Sequence, residues 1–368
     1  MRRNQNLLKY MKALKIGDLT ATTPIVQGGM GVGISLSGLA SAVANEGGIG
    51  VISAAGLGVL YSEYSHDYSE AGIWGMRQEI RKAREASKGI IGVNIMVALS
   101  HFAELVKTAI EEKVDIIFAG AGLPLNLPSF LTEGAKTKLA PIISSARAAK
   151  LICTKWFSEY KYIPDAIVVE GPKAGGHLGY KHEQIEDEAF SLEAIVPQVV
   201  AEVKKFADEH NCNIPVIAGG GVYSGEDIYK IMALGADAVQ MGTRFVATEE
   251  CDASDTFKQA YINAKKEDIQ IIKSPVGLPG RAIRNGFLDK VADGLCRPKK
   301  CAFNCLKTCD IEKTPYCIML ALYNAYKGRM EHGYAFSGSN AWRCDKIMKV
   351  KELLDSLRQE YAEYAAKQ

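Results

Sequence analysis

Short apolar segments alternate with longer amphipathic ones along most of the chain. Eight of the apolar segments have the length and composition of strands, and they span residues 24–28, 48–54, 90–97, 114–119, 140–145, 166–170, 214–219 and 238–242. Their hydrophobicity is nearly continuous rather than alternating. We therefore expect them to be buried on both faces, as in a parallel sheet that is covered by helices.

The intervening segments have the pattern of helices. Residues 191–208 are the clearest case, because Ser191 is a good N-cap and Glu193 falls in the first turn. The segment from Ser224 to Asp227 opens a second helix directly after the seventh strand. Eight such βα units predict an α/β protein, namely a (β/α)8 TIM barrel.

An open doubly wound sheet is the main rival to a closed barrel. A dinucleotide-binding sheet needs G-x-G-x-x-G after its first strand, and the run from Gly28 to Gly33 has the wrong phasing. Glycine and polar residues instead follow several strands: Asn94, Ser144, Glu170, Gly219 and Gln240. A barrel collects the residues after its strands at one rim, so this distribution favours the barrel.

Composition and charge favour work on a small molecule. The 368 residues include 44 basic and 42 acidic residues that are well mixed, so no field attracts nucleic acid or an anionic membrane. The basic N-terminus has no apolar leader, and no stretch approaches the roughly 20 apolar residues of a membrane span. We expect a cytoplasmic protein with neither nucleic acid nor membrane as partner, and we also consider a homodimer.

Two glycine sites follow the seventh and eighth strands. Gly219, Gly220 and Gly221 end one strand, and Gly242 and Thr243 end the next. Barrels often bind a cofactor phosphate in these two loops, because glycine lets backbone N–H groups approach the anion. Tight turns would explain a single pair of glycines, but two sites at these ordinal positions favour phosphate.

A histidine lies among glycines after the sixth strand, in the sequence EGPKAGGHLGY from Glu170 to Tyr180. Gly175 and Gly176 remove side-chain bulk, so a flat ring could lie against the backbone beside His177. Histidine is well suited to proton transfer near neutral pH. A histidine that only holds a loop is the alternative, and the position at a strand end favours a catalytic role.

Several segments together resemble the nitronate monooxygenase family, formerly called 2-nitropropane dioxygenases, which is similar in sequence to the flavin-dependent enoyl-ACP reductases. The matching segments are PIVQGGM (24–30), GVN (92–94), EGPKAGGHLG (170–179), PVIAGGGV (215–222), QMGTRF (240–245), SPVGLPGRAIRN (274–285) and FSGSN (336–340). They occur in the family's order over most of the chain.

The resemblance implies a TIM barrel with one non-covalent FMN, and it assigns residues to that cofactor. The isoalloxazine would lie near Gly28, Gly29, Met30 and Asn94, and the phosphate near Gly220, Gly221, Gly242 and Thr243. Gln240 and Gly176 would be further contacts, with Glu170 and Gly175 in the same site. His177 would face the flavin and act on the substrate, as a base towards a nitroalkane or as a polar clamp on a nitronate.

Three functions remain open at this point. The leading hypothesis is an FMN-dependent monooxygenase that oxidises alkyl nitronates with O2. The alternative is an NAD(P)H-dependent flavin reductase of enoyl thioesters or quinones. A non-catalytic flavin or thiol redox sensor is the third, and its only support is a cluster of cysteines near the C-terminus.

That cluster departs from the family pattern and forms an apparent insertion or cap. Its members are Cys296, Cys301, Cys305, Cys309 and Cys317. Their spacing matches neither an ordinary zinc site nor a ferredoxin motif. If the segment were helical, residues 301, 305 and 309 would share one face and could bind a metal or an iron–sulfur cluster. A small cap packed by buried cysteines is the other interpretation.

The chain is accordingly divided into four parts. Residues 1–23 form an N-terminal lead-in, and 24–289 form the FMN-binding barrel with its following loops. Residues 290–317 form the Cys-rich insertion, and 318–368 form a C-terminal helical segment that returns to the barrel rim. The position of the insertion between two family-like segments predicts that it shapes the substrate entrance.

Overall fold

The structure is a computed structural model that describes residues 11–298 and 300–368. Residues 1–10 of the expected lead-in and Lys299 of the expected insertion lie outside the described residues. In chain order the strands are β1 (Leu14–Ile16), β2 (Leu19–Ala21), β3 (Ile25–Gln27), β4 (Ile49–Ser53), β5 (Ile90–Met96), β6 (Ile116–Gly120), β7 (Lys138–Ile143), β8 (Ile167–Glu170), β9 (Gly176–His177), β10 (Val216–Gly219), β11 (Ala238–Met241), β12 (Ile269–Lys273) and β13 (Pro279–Ile283).

A closed barrel of parallel strands forms the centre of the molecule. The strands β3 to β8 follow one another around it, then β10 and β11, and β11 pairs with β3 to close the ring. These are the eight segments that the apolar pattern predicts, with ends that differ by no more than about two residues, as is usual for such assignments. The predicted (β/α)8 TIM barrel is confirmed.

Helices surround the barrel and continue beyond it. They are α1 (Ser37–Asn45), α2 (Leu57–Leu60), α3 (Tyr68–Ala86), α4 (Phe102–Glu111), α5 (Ala146–Tyr160), α6 (Leu192–Glu209), α7 (Gly225–Ala233), α8 (Thr243–Val246), α9 (Asp255–Ile262), α10 (Gly286–Ala292), α11 (Ile318–Tyr326) and α12 (Val350–Ala365). The expected N-cap Ser191 is confirmed, since its hydroxyl accepts a backbone N–H bond at 3.2 Å, and Ser224 caps the helix that it was expected to open in the same way, also at 3.2 Å. Among the described helices, none has the length and apolar character that crossing a bilayer would demand.

The barrel interior is packed with side chains rather than hollow. Val26, Val51, Phe118 and Ile217 belong to one buried cluster inside the ring of strands. Leu14, from the β1–β2 hairpin that precedes the barrel, joins this cluster together with residues at the amino ends of the strands. The hairpin therefore covers the amino end, and the carboxyl end is left for the site.

A small antiparallel sheet stands beside the carboxyl end of the barrel, and the sequence did not predict it. The strands β12 and β13 form a hairpin, and β13 pairs with the two-residue strand β9, with Gly280 opposite His177. The Leu178 N–H also donates to the Pro279 carbonyl at 2.9 Å. The turn that carries His177 is thus held by backbone hydrogen bonds from a segment about a hundred residues further along.

The Cys-rich segment between α10 and α11 has no helix in its described residues, so the condition under which Cys301, Cys305 and Cys309 would share a helical face is not met. Asn304 has a left-handed φ of 44°, which interrupts a right-handed helix. The backbone pairs instead with the loop after β5, where the Cys305 carbonyl accepts the Ser100 N–H at 3.1 Å.

Candidate active site

One large cavity of about 710 Å³ opens at the carboxyl end of the barrel. Its volume lies in the range typical of cofactor and substrate pockets. Every residue that the sequence assigned to catalysis or to the cofactor lines it: Gly28, Gly29, Met30, Asn94, Glu170, Gly175, Gly176, His177, Gly220, Gly221, Gln240, Gly242 and Thr243. The fold therefore brings together residues that lie more than two hundred positions apart.

The register of the parallel strands explains this convergence. Gly219 at the end of β10 lies opposite both Glu170 of β8 and Gln240 of β11, so these residues reach the rim at one level. On the other side of the barrel, Ser53 of β4 pairs with Asn94 of β5. Residues at the ends of neighbouring parallel strands face the same opening, as in other barrels.

The glycines keep space that a side chain would fill or deform. A Cβ on Gly29 would lie only 2.3 Å from the Asn94 Cβ, so no other residue fits there without movement. Gly176, Gly220 and Gly221 have φ values of 79°, 104° and 99°, a region that residues with side chains rarely adopt. The shape of the cavity thus depends on glycine for both space and backbone conformation.

His177 is held in a defined environment. Its Nε2 lies 2.6 Å from the Ser274 hydroxyl, and its ring meets Phe336 edge to face at 5.0 Å between centroids. Burial lowers the pKa of His177 to about 4, so the imidazole is neutral at physiological pH. Ser274 itself is buried, and it was not singled out from the sequence although it opens the SPVGLPG segment.

Glu170 is the acidic side chain of the cavity wall among the described residues. Burial raises the pKa of Glu170 to about 7, because its carboxylate is deprived of water. Its backbone carbonyl accepts a hydrogen bond from the Tyr180 hydroxyl at 2.6 Å, which fixes the end of β8. The charge of this carboxyl group therefore changes close to neutral pH.

The loop of residues 336–340 crosses the two glycine sites. Asn340 donates its side-chain amide to the Gly221 carbonyl at 2.7 Å, and the Gly338 N–H donates to the Thr243 hydroxyl at 3.2 Å. Tyr261 donates its hydroxyl to the Phe336 carbonyl. The FSGSN segment is thus part of the cavity wall, although the residues assigned from the sequence did not include it.

Much of the remaining wall is apolar, and part of it comes from the Cys-rich segment and from the helix α11 that follows it. These apolar residues include Met96, Leu99, Leu123, Val276, Leu278, Leu306, Ile318, Met319 and Leu322. The cysteines themselves are absent from the described lining. Within residues 11–298 and 300–368, no three His, Cys, Asp or Glu side chains are arranged to hold a metal ion.

Comparison with known proteins identifies the family of the chain. The family model described as "Nitronate monooxygenase" matches residues 12–112 and 100–360. A "Probable nitronate monooxygenase" of Staphylococcus aureus strain Newman is 27% identical over 311 residues, which cover 78% of this chain and 81% of that protein.

Solved structures are similar to this chain in fold over nearly its whole length. FabK from Thermotoga maritima has a TM-score of 0.71 at 28% identity, covering 99% of this chain and 97% of that one. Nitroalkane oxidase from Streptomyces ansochromogenes has a TM-score of 0.69 at 21% identity, covering 94% and 97%, a likeness of fold alone. Because the family model covers most of its length, the chain belongs to the nitronate monooxygenase family of flavin-dependent oxidoreductases.

Proposed function

We propose that this protein is an FMN-dependent monooxygenase that oxidises alkyl nitronates with O2. The observation that carries the proposal is the neutral His177, held by Ser274 inside a glycine-lined cavity at the carboxyl end of the barrel. Membership of the family supports it, as does a cavity large enough for a cofactor and a small substrate.

The cavity fits FMN in its glycine-rich part. Gly220, Gly221, Gly242 and Thr243 would surround the phosphate, because an anion can approach the backbone N–H groups of glycines, which have no side chain of their own. The ring system would lie against Gly28, Gly29, Met30 and Asn94, with Glu170, Gly175, Gly176 and Gln240 as further neighbours. When bound, FMN supplies the acceptor for the substrate's electrons.

The His177–Ser274 pair can serve two forms of the substrate. If Nε2–H donates to the Ser274 hydroxyl, Nδ1 has a free lone pair and can take the α-proton of a neutral nitroalkane. If the Ser274 hydroxyl donates to Nε2, the proton is on Nδ1, which can then donate to an oxygen of an anionic nitronate. In both cases Ser274 occupies Nε2, so Nδ1 is the ring nitrogen that can interact with the substrate.

Replacing His177 by Ala should therefore affect the two substrate forms differently. Turnover of a neutral nitroalkane should fall by about 10²–10⁴-fold, the usual contribution of a general base. Turnover of the preformed nitronate should fall by only about tenfold, as expected when one hydrogen bond is lost. Steady-state oxygen consumption with each form, at equal flavin content, measures this difference. Equal losses for both forms would remove the base from the mechanism.

An NAD(P)H-dependent reductase of enoyl thioesters or quinones is the second candidate. It is favoured by the 28% identity to FabK, an enoyl-ACP reductase, over nearly the full chain. The apolar wall that includes Leu306, Ile318 and Met319 would suit an acyl chain. The nitronate proposal ranks first because the family model and the curated relative both carry that activity in their descriptions.

Anaerobic mixing separates the candidates. The flavin-loaded protein is mixed with NADH, NADPH or propionate 3-nitronate while flavin absorbance is followed, and oxygen is then admitted. Loss of absorbance with the nitronate, followed by oxygen uptake, is the expected result. Rapid bleaching of the flavin by a nicotinamide, with no response to the nitronate, would favour the reductase. If the flavin responded to none of the three compounds, the non-catalytic redox sensor would be the remaining hypothesis.

The homodimer and the cytoplasmic location stay predictions. Size-exclusion chromatography with light scattering of the flavin-loaded protein tests the first, and cell fractionation tests the second.

A further inference from the structure

The strand order of the barrel gives the cavity two chemically different sides. In the ring of eight strands, β10 and β11 lie opposite β5 and β6. The glycine loops of the proposed phosphate site follow β10 and β11. The ends of β5 and β6 and the loops after them instead bring apolar residues to the wall, namely Met96, Ala98, Leu99 and Leu123. This apolar side lies across the opening from the phosphate site and is available to the substrate.

The Cys-rich segment extends the apolar side by pairing with the loop after β5. Leu306 forms an antiparallel bridge with Leu99, and both residues line the cavity. The Lys307 N–H donates to the Ala98 carbonyl at 3.0 Å, which continues the same alignment. Backbone hydrogen bonds therefore hold this part of the segment in the cavity wall.

Helix α11 contributes a second apolar strip. Ile318, Met319 and Leu322 lie within about one turn of each other on one face of the helix, and all three line the cavity. Ile318 and Met319 are buried, and Leu322 is half-buried. Leu320 of the same helix is 43% exposed and is absent from the described lining. The helix thus presents one of its faces to the substrate.

The cysteines pack beside this wall. Cys305 is buried in the same apolar core as Leu306, and Cys296, Cys309 and Cys317 pack against that core. Cysteine behaves as a small hydrophobe in such positions. The packing therefore supports the interpretation of the segment as a small cap, with its leucine in the cavity wall and its cysteines in the core.

The apolar side continues up to the proposed catalytic base. Ser274, which contacts His177, donates its N–H to the Leu278 carbonyl at 3.1 Å and accepts the Val276 N–H on its hydroxyl at 3.4 Å. Val276 and Leu278 both line the cavity. A substrate whose reacting carbon lies at His177 therefore has apolar side chains next to the rest of its carbon chain.

Positive charge is scarce in this cavity. Lys173 is the one lysine or arginine in the described lining. It lies at the proposed phosphate site, since a Cβ on Gly221 would come within 2.9 Å of the Lys173 Cβ. The described residues of the apolar side contain no cation that could pair with a carboxylate, and burying an unpaired carboxylate is costly. This side therefore suits an uncharged chain.

We propose that the site selects nitronates with an uncharged alkyl chain of several carbons over nitronates that carry a second anionic group. The inference rests on the proposed function, because it concerns the substrate of the same site. The chain lies against the loops after β5 and β6, Leu306 and the inner face of α11. The Cys-rich cap is thus a determinant of substrate specificity.

A series of preformed nitronates tests this selection in the flavin-loaded protein. The nitronates of nitroethane, nitrobutane, nitrohexane and nitrooctane are compared with propionate 3-nitronate by steady-state oxygen consumption. The value of kcat/KM should rise about fourfold per methylene, the effect of burying one CH2 group, until the chain fills the apolar side. Propionate 3-nitronate should still be oxidised, but with a kcat/KM at least about tenfold below that of nitrobutane nitronate.

The outcomes separate this inference from the proposed function. If the nitronates are oxidised with a kcat/KM that depends neither on chain length nor on the carboxylate, the inference is overturned and the proposed function stands. If none of them is oxidised, both are overturned.

A matched pair of variants on α11 assigns the selection to the wall. Leu322→Lys places a cation in the lining and should lower the ratio of kcat/KM for nitrohexane nitronate to that for propionate 3-nitronate by at least about tenfold. Leu320→Lys adds the same charge on the exposed face of the helix and should leave the ratio unchanged. An unchanged ratio in a folded Leu322→Lys protein would contradict the assignment.

Circular dichroism and flavin content identify a misfolded variant. If Leu322→Lys does not fold, Leu322→Ala replaces it. This shorter side chain should lower kcat/KM for nitrohexane nitronate about tenfold and change the value for nitroethane nitronate by less than about twofold, because only the longer chain reaches α11. Equal effects on the two substrates would overturn the proposal.

Discussion

At the scale of single residues, Ser274 orients the proposed catalytic base. Its hydroxyl lies 2.6 Å from His177 Nε2 and also accepts the Val276 N–H. Ser274→Ala should keep its flavin but lose about 3- to 10-fold in kcat with a nitroalkane, the value of one hydrogen bond. Ser274→Thr keeps a hydroxyl and should recover most of the loss. A kcat unchanged in Ser274→Ala would show that the serine does not orient the ring.

Glu170 should make flavin binding depend on pH near neutrality. Because burial raises its pKa to about 7, the carboxyl group is neutral below that pH and charged above it. The charged form lies in the same cavity as the proposed phosphate site and repels that anion. FMN affinity should fall about tenfold between pH 6 and pH 8, since one pKa unit corresponds to a factor of ten.

Fluorescence titration of the flavin-free protein with FMN measures this effect. The glutamine of the Glu170→Gln variant cannot ionise. The FMN affinity of this variant should therefore vary with pH only through the ionisation of the FMN phosphate itself. The same pH dependence in both proteins would mean that Glu170 is not the titrating group. His177 does not contribute to the pH dependence of FMN affinity between pH 6 and pH 8, because its pKa of about 4 leaves it neutral throughout this range.

Individual site residues differ in how far the sequence reveals them. Asn94, Glu170 and Gln240 could be identified because each lies within the last three residues of a barrel strand, where the barrel brings residues to one rim. Ser274 could not be identified in this way. It lies 97 residues from His177 in the chain and contacts it only because a hairpin that follows the barrel brings the two together. The apolar pattern contains no information about that pairing.

At the scale of elements, Arg281 of β13 connects the hairpin to the turn before His177. Its buried guanidinium donates to the carbonyls of Pro172 and Ala174, the latter at 3.1 Å. Arg281→Ala should cost about 2–3 kcal/mol of unfolding free energy, because two buried carbonyls lose a charged donor. It should also reduce turnover, since the turn that positions His177 loses its support.

The exposed Arg284, which pairs with Asp289 on the surface, provides the matched control. Arg284→Ala should change the free energy of unfolding by no more than about 1 kcal/mol. Urea denaturation of both variants gives the comparison. If the two arginine variants lose similar stability, the connection through Arg281 is not important for the turn.

The elements themselves could be predicted where burial imposes a regular pattern. Barrel strands are covered on both sides, so their apolar runs are recognisable, and the caps of α6 and α7 follow local rules. The hairpin β12–β13 is only half-buried along β12, which leaves a weak apolar signal. The sequence could not decide whether the Cys-rich segment is helical, because cysteine spacing does not report turns such as the one at Asn304.

At the scale of the whole molecule, the cavity depends on segments from the entire chain. Its wall runs from Gly28 after β3 to Asn340 near the C-terminus, and the barrel holds these loops in a fixed relation. A ligand that contacts them all binds the folded state only. The flavin should therefore stabilise global folding rather than one loop.

The final prediction compares FMN with riboflavin, which lacks the phosphate. At a free concentration of 100 times its Kd, FMN should add about 2.7 kcal/mol, which corresponds to about 3 °C in Tm for a chain of this length. Riboflavin at the same concentration should add less than about 1 °C, because it cannot use the loops at Gly220, Gly221 and Gly242. Equal shifts would contradict the proposed phosphate site.

A pair of glycine variants makes this comparison specific. Gly221→Ala and Gly134→Ala both place a side chain at positive φ, 99° and 77°, so they share the backbone strain. The Cβ at Gly221 would meet the Lys173 side chain at 2.9 Å within the cavity wall, whereas Gly134 has open space around it. Gly221→Ala should lose the advantage of FMN over riboflavin, and Gly134→Ala should keep it. Because backbone strain is common to both, a selective loss in Gly221→Ala would locate the phosphate at this loop.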